Sequence, residues 1–342
     1  MKRVFLILSL MILGVVSYAQ VEESPINLAE PEAEPVVSRL ALSGDAEQVA
    51  DSVRFQPDTS LVFAVYDNQD LAMDVYFPAD CEESHACVIF AYGGGFMDNN
   101  QKAYGTRRFC RSLADDGYVA IAMDYRLGLK DFKSKGLVSM IKPLEKSMKM
   151  ATEDMFKAVE YVLANDSSLK VDPDKIILCG SSAGAMTSLQ TDYELCNRTV
   201  LAINIPEDFR FAGVISFSGA IFSTEGKCDY KVHDPAPTFF LHGASDRLVT
   251  YRKIAFLNLR LSGADDLVKR FKKNHYSYKI MRFVDEGHGV SVRQMDNYSD
   301  VIWFMENMAL SGRHFEIDET VYDRDKERTA WDSSSPAALY GN

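Results

Sequence analysis

Short apolar runs closed by turns, most of them followed by residues at helical spacing, recur along this chain. They are Ala86–Ala91, Val119–Met123, Ile176–Cys179, Phe211–Phe217 and Pro237–Leu241, and Tyr278–Val284 reads as the last strand. Such runs, rich in β-branched and aromatic residues, predict strands buried on both faces. Thr59–Tyr66 and Leu71–Phe77 alternate instead, which predicts an antiparallel hairpin closed by Asp67-Asn68-Gln69-Asp70. Helices are expected over 103–116, where Gly117 ends the first, and over 152–163, 250–262, 264–274 and 290–308. Asp172-Pro173-Asp174 reads as a turn into the strand at 175. Buried strands alternating with helices imply right-handed β-α-β units. The fold class is therefore α/β, a mostly parallel central sheet with helices on both faces and the hairpin at an antiparallel edge.

No internal repeat or strong linker interrupts 56–310, so that stretch is read as one domain. Residues 20–55, rich in Glu, Pro, Ala and Ser, read as an exposed arm, and the chain from about 311 as a polar, irregular tail.

With 342 residues, 47% of them hydrophobic, the chain can bury a sizeable core. A formal charge of −12 and the absence of a basic stripe argue against a nucleic-acid partner. Lys2-Arg3, the apolar run Val4–Val16 and Ser17-Tyr18-Ala19 form a leader-peptide pattern, with a cut expected after Ala19 that leaves Gln20 first. The expectation is a secreted or periplasmic protein without a stable membrane anchor. Two cysteine pairs, Cys81 with Cys87 and Cys196 with Cys228, are candidates for bridging. Cys87, Cys110 and Cys179 also sit in apolar contexts that suit buried thiols. No metal-ligand spacing occurs, and neither metal nor cofactor is expected.

The candidate chemistry centres on Gly180-x-Ser182-x-Gly184. A strand that turns sharply into a helix presents its central serine at the strand's carboxyl end, beside the helix N-terminus. The motif alone is common, so the order of its partners matters. A serine hydroxyl needs a base, and the base needs an orienting acid. Asp246 follows the strand ending Leu241-His242-Gly243, and His288 follows the last strand within Asp285-Glu286-Gly287-His288-Gly289. Loops after parallel strands gather on one edge of the sheet, so Ser182, Asp246 and His288 can meet as nucleophile, acid and base. Glu286 and Asp285 are rival acids, poorly placed beside the histidine. His242 is assigned a structural role in its loop. Gly93-Gly94-Gly95 follows a buried strand, and the N–H groups of Gly94, Gly95 and Ala183 are candidate oxyanion donors.

In Tyr92-Gly93-Gly94-Gly95-Phe96, Asp124-Tyr125-Arg126, Gly180-Ser181-Ser182-Ala183-Gly184, His242-Gly243 with Asp246, and Gly287-His288, the chain resembles the α/β-hydrolase superfamily. The branch it resembles is that of esterases and lipases, and the likeness covers roughly 56–310. Tyr92 at the head of the glycine stretch is similar to type-B carboxylesterases, which commonly carry an acid where this chain has Ser181. The resemblance implies an α/β-hydrolase fold and a serine esterase working through an acyl-enzyme. It also implies supporting roles for Asp124 and Arg126 behind the oxyanion loop. Residues 127–148 are a candidate small cap, with Leu137, Met140, Ile141 and Leu144 lining an acyl pocket. With no long lid evident, short acyl groups on small or carbohydrate alcohols are the expected substrates. A serine peptidase similar to prolyl oligopeptidases and a non-catalytic binding protein on the same fold are the alternatives.

Overall fold

A computed structural model of the chain describes residues 54–66, 69–80, 82–98, 103–132 and 137–322. The leader, most of the arm, Cys81, the hairpin residues Asp67 and Asn68, and the chain beyond 322 lie outside the described residues, as do the side chains of Leu137 and Met140.

Among the described residues the main sheet has nine strands. They are β1 (Thr59–Tyr66), β2 (Gln69–Tyr76), β3 (His85–Ala91), β4 (Val119–Met123), β5 (Val171–Ser181), β6 (Gly213–Phe217), β8 (Thr238–Gly243), β11 (Tyr278–Phe283) and β12 (Glu316–Val321). Their spatial order is β1-β2-β4-β3-β5-β6-β8-β11-β12. β2 pairs antiparallel with β1 and β4, and every other neighbouring pair is parallel. The carboxyl ends of β5, β6, β8 and β11 therefore lie side by side.

Helices cover both faces. Successive residues of a strand point to opposite sides. Phe239 packs on Phe304 of α5 (Tyr298–Phe304), whereas Phe240 packs on Phe271 of α4 (Ala264–Asn274). α1 (Tyr104–Asp115) lies on the α5 side, where Phe109 meets Tyr298. α2 (Leu137–Ala164) lies against α3 (Ala183–Cys196), the helix that leaves the serine turn. None of the described helices is long and apolar enough to cross a membrane.

Four local expectations are revised. The turn at Asp172-Pro173-Asp174 is a bulge within β5: two steps of β3, from His85 to Cys87, face five of β5, from Val171 to Ile176. A salt bridge between Asp172 and Lys175 at 2.7 Å closes the bulge on itself. Residues 250–262 form no helix. They hold β9 (Lys253–Phe256) and β10 (Leu259–Gly263), which join β7 (Ala220–Ser223) in a separate antiparallel sheet. The turn between them puts Leu257 at φ 53°, beside Asn258, a residue type that suits a hairpin tip. The closing helix starts only at Tyr298, because His288–Val292 forms a tight 3₁₀ turn first. Finally, the tail is not irregular throughout: β12 extends the sheet beyond 310 by pairing with β11. The candidate cap is continuous with the fold. From Leu137 it is the first part of α2, and the firm helix expected at 152–163 is the same helix's second half.

Candidate active site

Ser182 sits where β5 becomes α3, at φ 50° and ψ −115°, a left-handed conformation unusual for a side chain with a β-carbon. The close approach of β3, β5 and α3 enforces it. A methyl group on Gly184 would come within 2.0 Å of the Ala91 carbonyl, and one on Gly180 within 2.3 Å of Gly184. The Ser182 N–H donates to the Phe217 carbonyl of β6 at 2.8 Å.

The three residues expected to meet do meet. Ser182 Oγ is 2.8 Å from His288 Nε2, and His288 Nδ1 is 2.7 Å from Asp246 Oδ2. All three side chains are buried. Asp246 Oδ1 accepts the N–H groups of Leu248 and Val249, at 2.8 and 3.0 Å. Burial opposes a charge on Asp246. The neighbouring His288, together with hydrogen bonds from His242 and His288, outweighs it and holds the carboxyl well below the usual carboxylate range. The acid and base loops touch backbone to backbone: a methyl group on Gly243 would lie 2.1 Å from the Gly287 carbonyl. Glu286, the rival acid, turns away and pairs with Arg293.

The glycine turn lies against the serine. A methyl group on Gly93 would stand 3.2 Å from Ser182 Cβ, while Gly94 and Gly95 take φ values of 142° and 62°. Two tyrosines hold the turn. Tyr125 donates to the Tyr92 carbonyl at 2.8 Å, Tyr92 donates to Asp124 at 2.9 Å, and the rings stack at 4.7 Å. Burial pushes the Tyr92 hydroxyl up, so it remains a donor. Asp124 thus has the supporting role expected of it. Arg126 reaches elsewhere, to Asp154 and Glu153 of α2 and over the ring of Tyr66.

The chain has counterparts among known proteins. The BD-FAE family matches residues 73–226, the part that holds the glycine turn and the serine turn. Gut esterase 1 of Caenorhabditis elegans is 26% identical over 189 residues, 52% of this chain and 32% of that protein. Lipase 2 of Geotrichum candidum is 27% identical over 125 residues, 35% of this chain and 22% of that protein. The match spans a third or less of the length of these curated relatives. Among solved structures, esterase 2 of Thermogutta terrifontis superposes with a TM-score of 0.53 at 20% identity, covering 73% of this chain and 95% of its own.

The chain has an α/β-hydrolase fold and is similar in sequence to esterases and lipases. Its largely parallel central sheet with helices on both faces is consistent with that fold. Two contacts of this α/β-hydrolase were missed in the sequence. Ser181 Oγ donates to the Ser291 carbonyl, and His242, given only a loop role, reaches Asp246. The signal for the second was present, since His242 and Asp246 are four residues apart at a strand's end.

No disulfide joins the described cysteines. Cys196 Sγ faces the Asp234 carbonyl at 3.3 Å and Cys228 Sγ faces Ser262 at 3.5 Å, so the expected alternative of a bridge between them is not realised. Cys87 is a free, buried thiol.

Proposed function

We propose that this chain is an exported serine carboxylesterase that hydrolyses short acyl esters, acetyl esters among them. The observation that carries the reading is the unbroken hydrogen-bond path from Ser182 Oγ through His288 to Asp246, with links of 2.8 and 2.7 Å. Ser182 Oγ adds to the ester carbonyl while His288 Nε2 takes its proton. Asp246 accepts from His288 Nδ1 and balances the positive ring. The N–H groups of Gly94, Gly95 and Ala183 receive the oxyanion. His288 then gives its proton to the departing alcohol. Water, deprotonated by the same ring, cleaves the acyl-serine to free acid.

The names of the matched relatives support an ester substrate. Solved structures of the Thermogutta terrifontis esterase with propionate and with butyrate bound support a short acyl group. The cap reading of 127–148 belongs to the same proposal. Leu129 N–H donates to the Phe96 carbonyl at 2.9 Å, which sets the start of that segment against the glycine turn. The alcohol is a small molecule or a carbohydrate. Export rests on the leader pattern of residues 1–19, and sequencing the N-terminus of the mature protein should return Gln20.

The deciding assay is hydrolysis of p-nitrophenyl acetate, butyrate and octanoate by the protein and by its S182A variant. Activity should fall with chain length, and S182A should lose about 10⁴-fold or more in kcat. If S182A kept most of the activity, the assignment would be wrong.

A further inference from the structure

Asp246 Oδ2 faces two imidazoles, not one. His288 Nδ1 stands at 2.7 Å and His242 Nε2 at 3.2 Å. The same His242 nitrogen is 3.1 Å from the Val249 carbonyl. A carboxylate and a carbonyl only accept, so Nε2 carries the hydrogen and shares it between them. The ring is 1% exposed, packs edge-on against Tyr251 at 5.5 Å, and has no partner for Nδ1 among the described residues. Every hydrogen bond the structure records for this ring is directed at Asp246 and its loop.

We infer that His242 is a positioning residue that fixes the Asp246 carboxylate toward His288. The inference rests on the proposed triad and adds a fourth member behind it. His242 is anchored in β8, in register with Arg282 of β11, so its donor is placed by the sheet. Asp246 sits on the loop that follows. The amides of Leu248 and Val249 hold only Oδ1. Without His242, Oδ2 would have no donor but His288, the ring it has to orient. With it, both oxygens are fixed, and so is the direction in which His288 Nδ1–H points. A second donor on Oδ2 also makes that oxygen less basic, which favours keeping the shared proton on His288.

The test reads Ser182 directly as well as through turnover. An alkyl fluorophosphonate labels the serine: Oγ displaces fluoride from phosphorus and the hydroxyl proton passes to His288. Three variants of the full chain are compared with wild type, after thermal melts establish that each is folded. H242F keeps the ring volume without the donor, H242N keeps an amide too short to reach, and H242Q places its amide near the position of Nε2. H242F and H242N should label and turn over p-nitrophenyl acetate about 10–10²-fold more slowly, with KM unchanged, because the base is aimed less well. H242Q should recover most of the rate. Wild-type labelling by both H242F and H242N would overturn the inference, as would an H242Q as slow as H242F. Labelling that depends on His242 in a protein that cleaves no ester would uphold the inference while refuting the esterase reading.

Discussion

Ser181 Oγ donates to the carbonyl of Ser291 across 2.7 Å, tying the turn that carries Ser182 to the turn that carries His288. Ser182 and His288, the proposed nucleophile and base, come from segments remote in sequence, and this bond fixes their separation from behind. In S181A the Ser291 carbonyl keeps the Gln294 side-chain amide at 2.6 Å, so the stability loss should be modest, about 1 kcal/mol by urea unfolding. The kcat for p-nitrophenyl acetate should fall about tenfold at nearly constant KM, since small misplacements of reacting groups are costly. A folded S181A with wild-type kcat would show that the bond is dispensable.

Tyr125 acts on the other side of the serine. Its hydroxyl holds the Tyr92 carbonyl at 2.8 Å, at the root of the glycine turn. Tyr125→Phe keeps the stacked ring and removes that donor. Steady-state kinetics should show kcat reduced by about tenfold or more, because the proposed oxyanion donors lose their aim. An unchanged kcat would place the rigidity of the turn elsewhere.

Gly184→Ala should fail more severely. Its methyl group would meet the backbone carbonyls of Ala91 and Tyr92 at 2.0 and 2.5 Å, and backbone cannot step aside as a side chain can. A loss of about 3 kcal/mol or more is expected, seen as low soluble yield or a lowered urea midpoint. A variant of wild-type stability would mean that β3 and α3 can separate.

Asp192 gives a pH dependence. It is buried on α3, accepts the Ala236 N–H at 3.3 Å, and is pushed up to about 7 by burial, against the pull of hydrogen bonds from Ala236 and Cys196 and of the Arg210 charge. Its folded value thus lies above its unfolded one. Between about pH 4 and pH 7 the folded chain holds a proton that the unfolded chain has released. Stability contributed by this group must fall as pH rises through that window, by up to about 4 kcal/mol, and level off above it. Urea unfolding of wild type and D192N from pH 4 to 8 should show a downward slope that the variant lacks. Parallel curves would count against it.

Most of the frame was legible because a sheet buried on both faces leaves a plain signature. The runs at 86–91, 119–123 and 213–217 contain almost nothing polar, so their strands fall within a residue or two of expectation. Ser182, Asp246 and His288 were legible for a related reason, since each follows such a run. Where burial is partial, the pattern weakens. β9 exposes Lys253, Ala255 and Phe256, and β12 is mostly exposed, so neither carries a run that separates strand from helix or tail. Contacts such as that of Ser181 with Ser291 depend on which loop tops meet, and no local pattern encodes that.

β12 has a further consequence for how the molecule meets its own kind. Among the described residues it is the last strand of the sheet at that end, and an unpaired strand edge is a template for another chain. Glu316, Asp318 and Glu319 crowd it with negative charge, and Arg282 from β11 leans out to hold Asp318. Two such edges would repel before their backbones could pair. The polar character that hid this strand in the sequence is what allows the sheet to stop there.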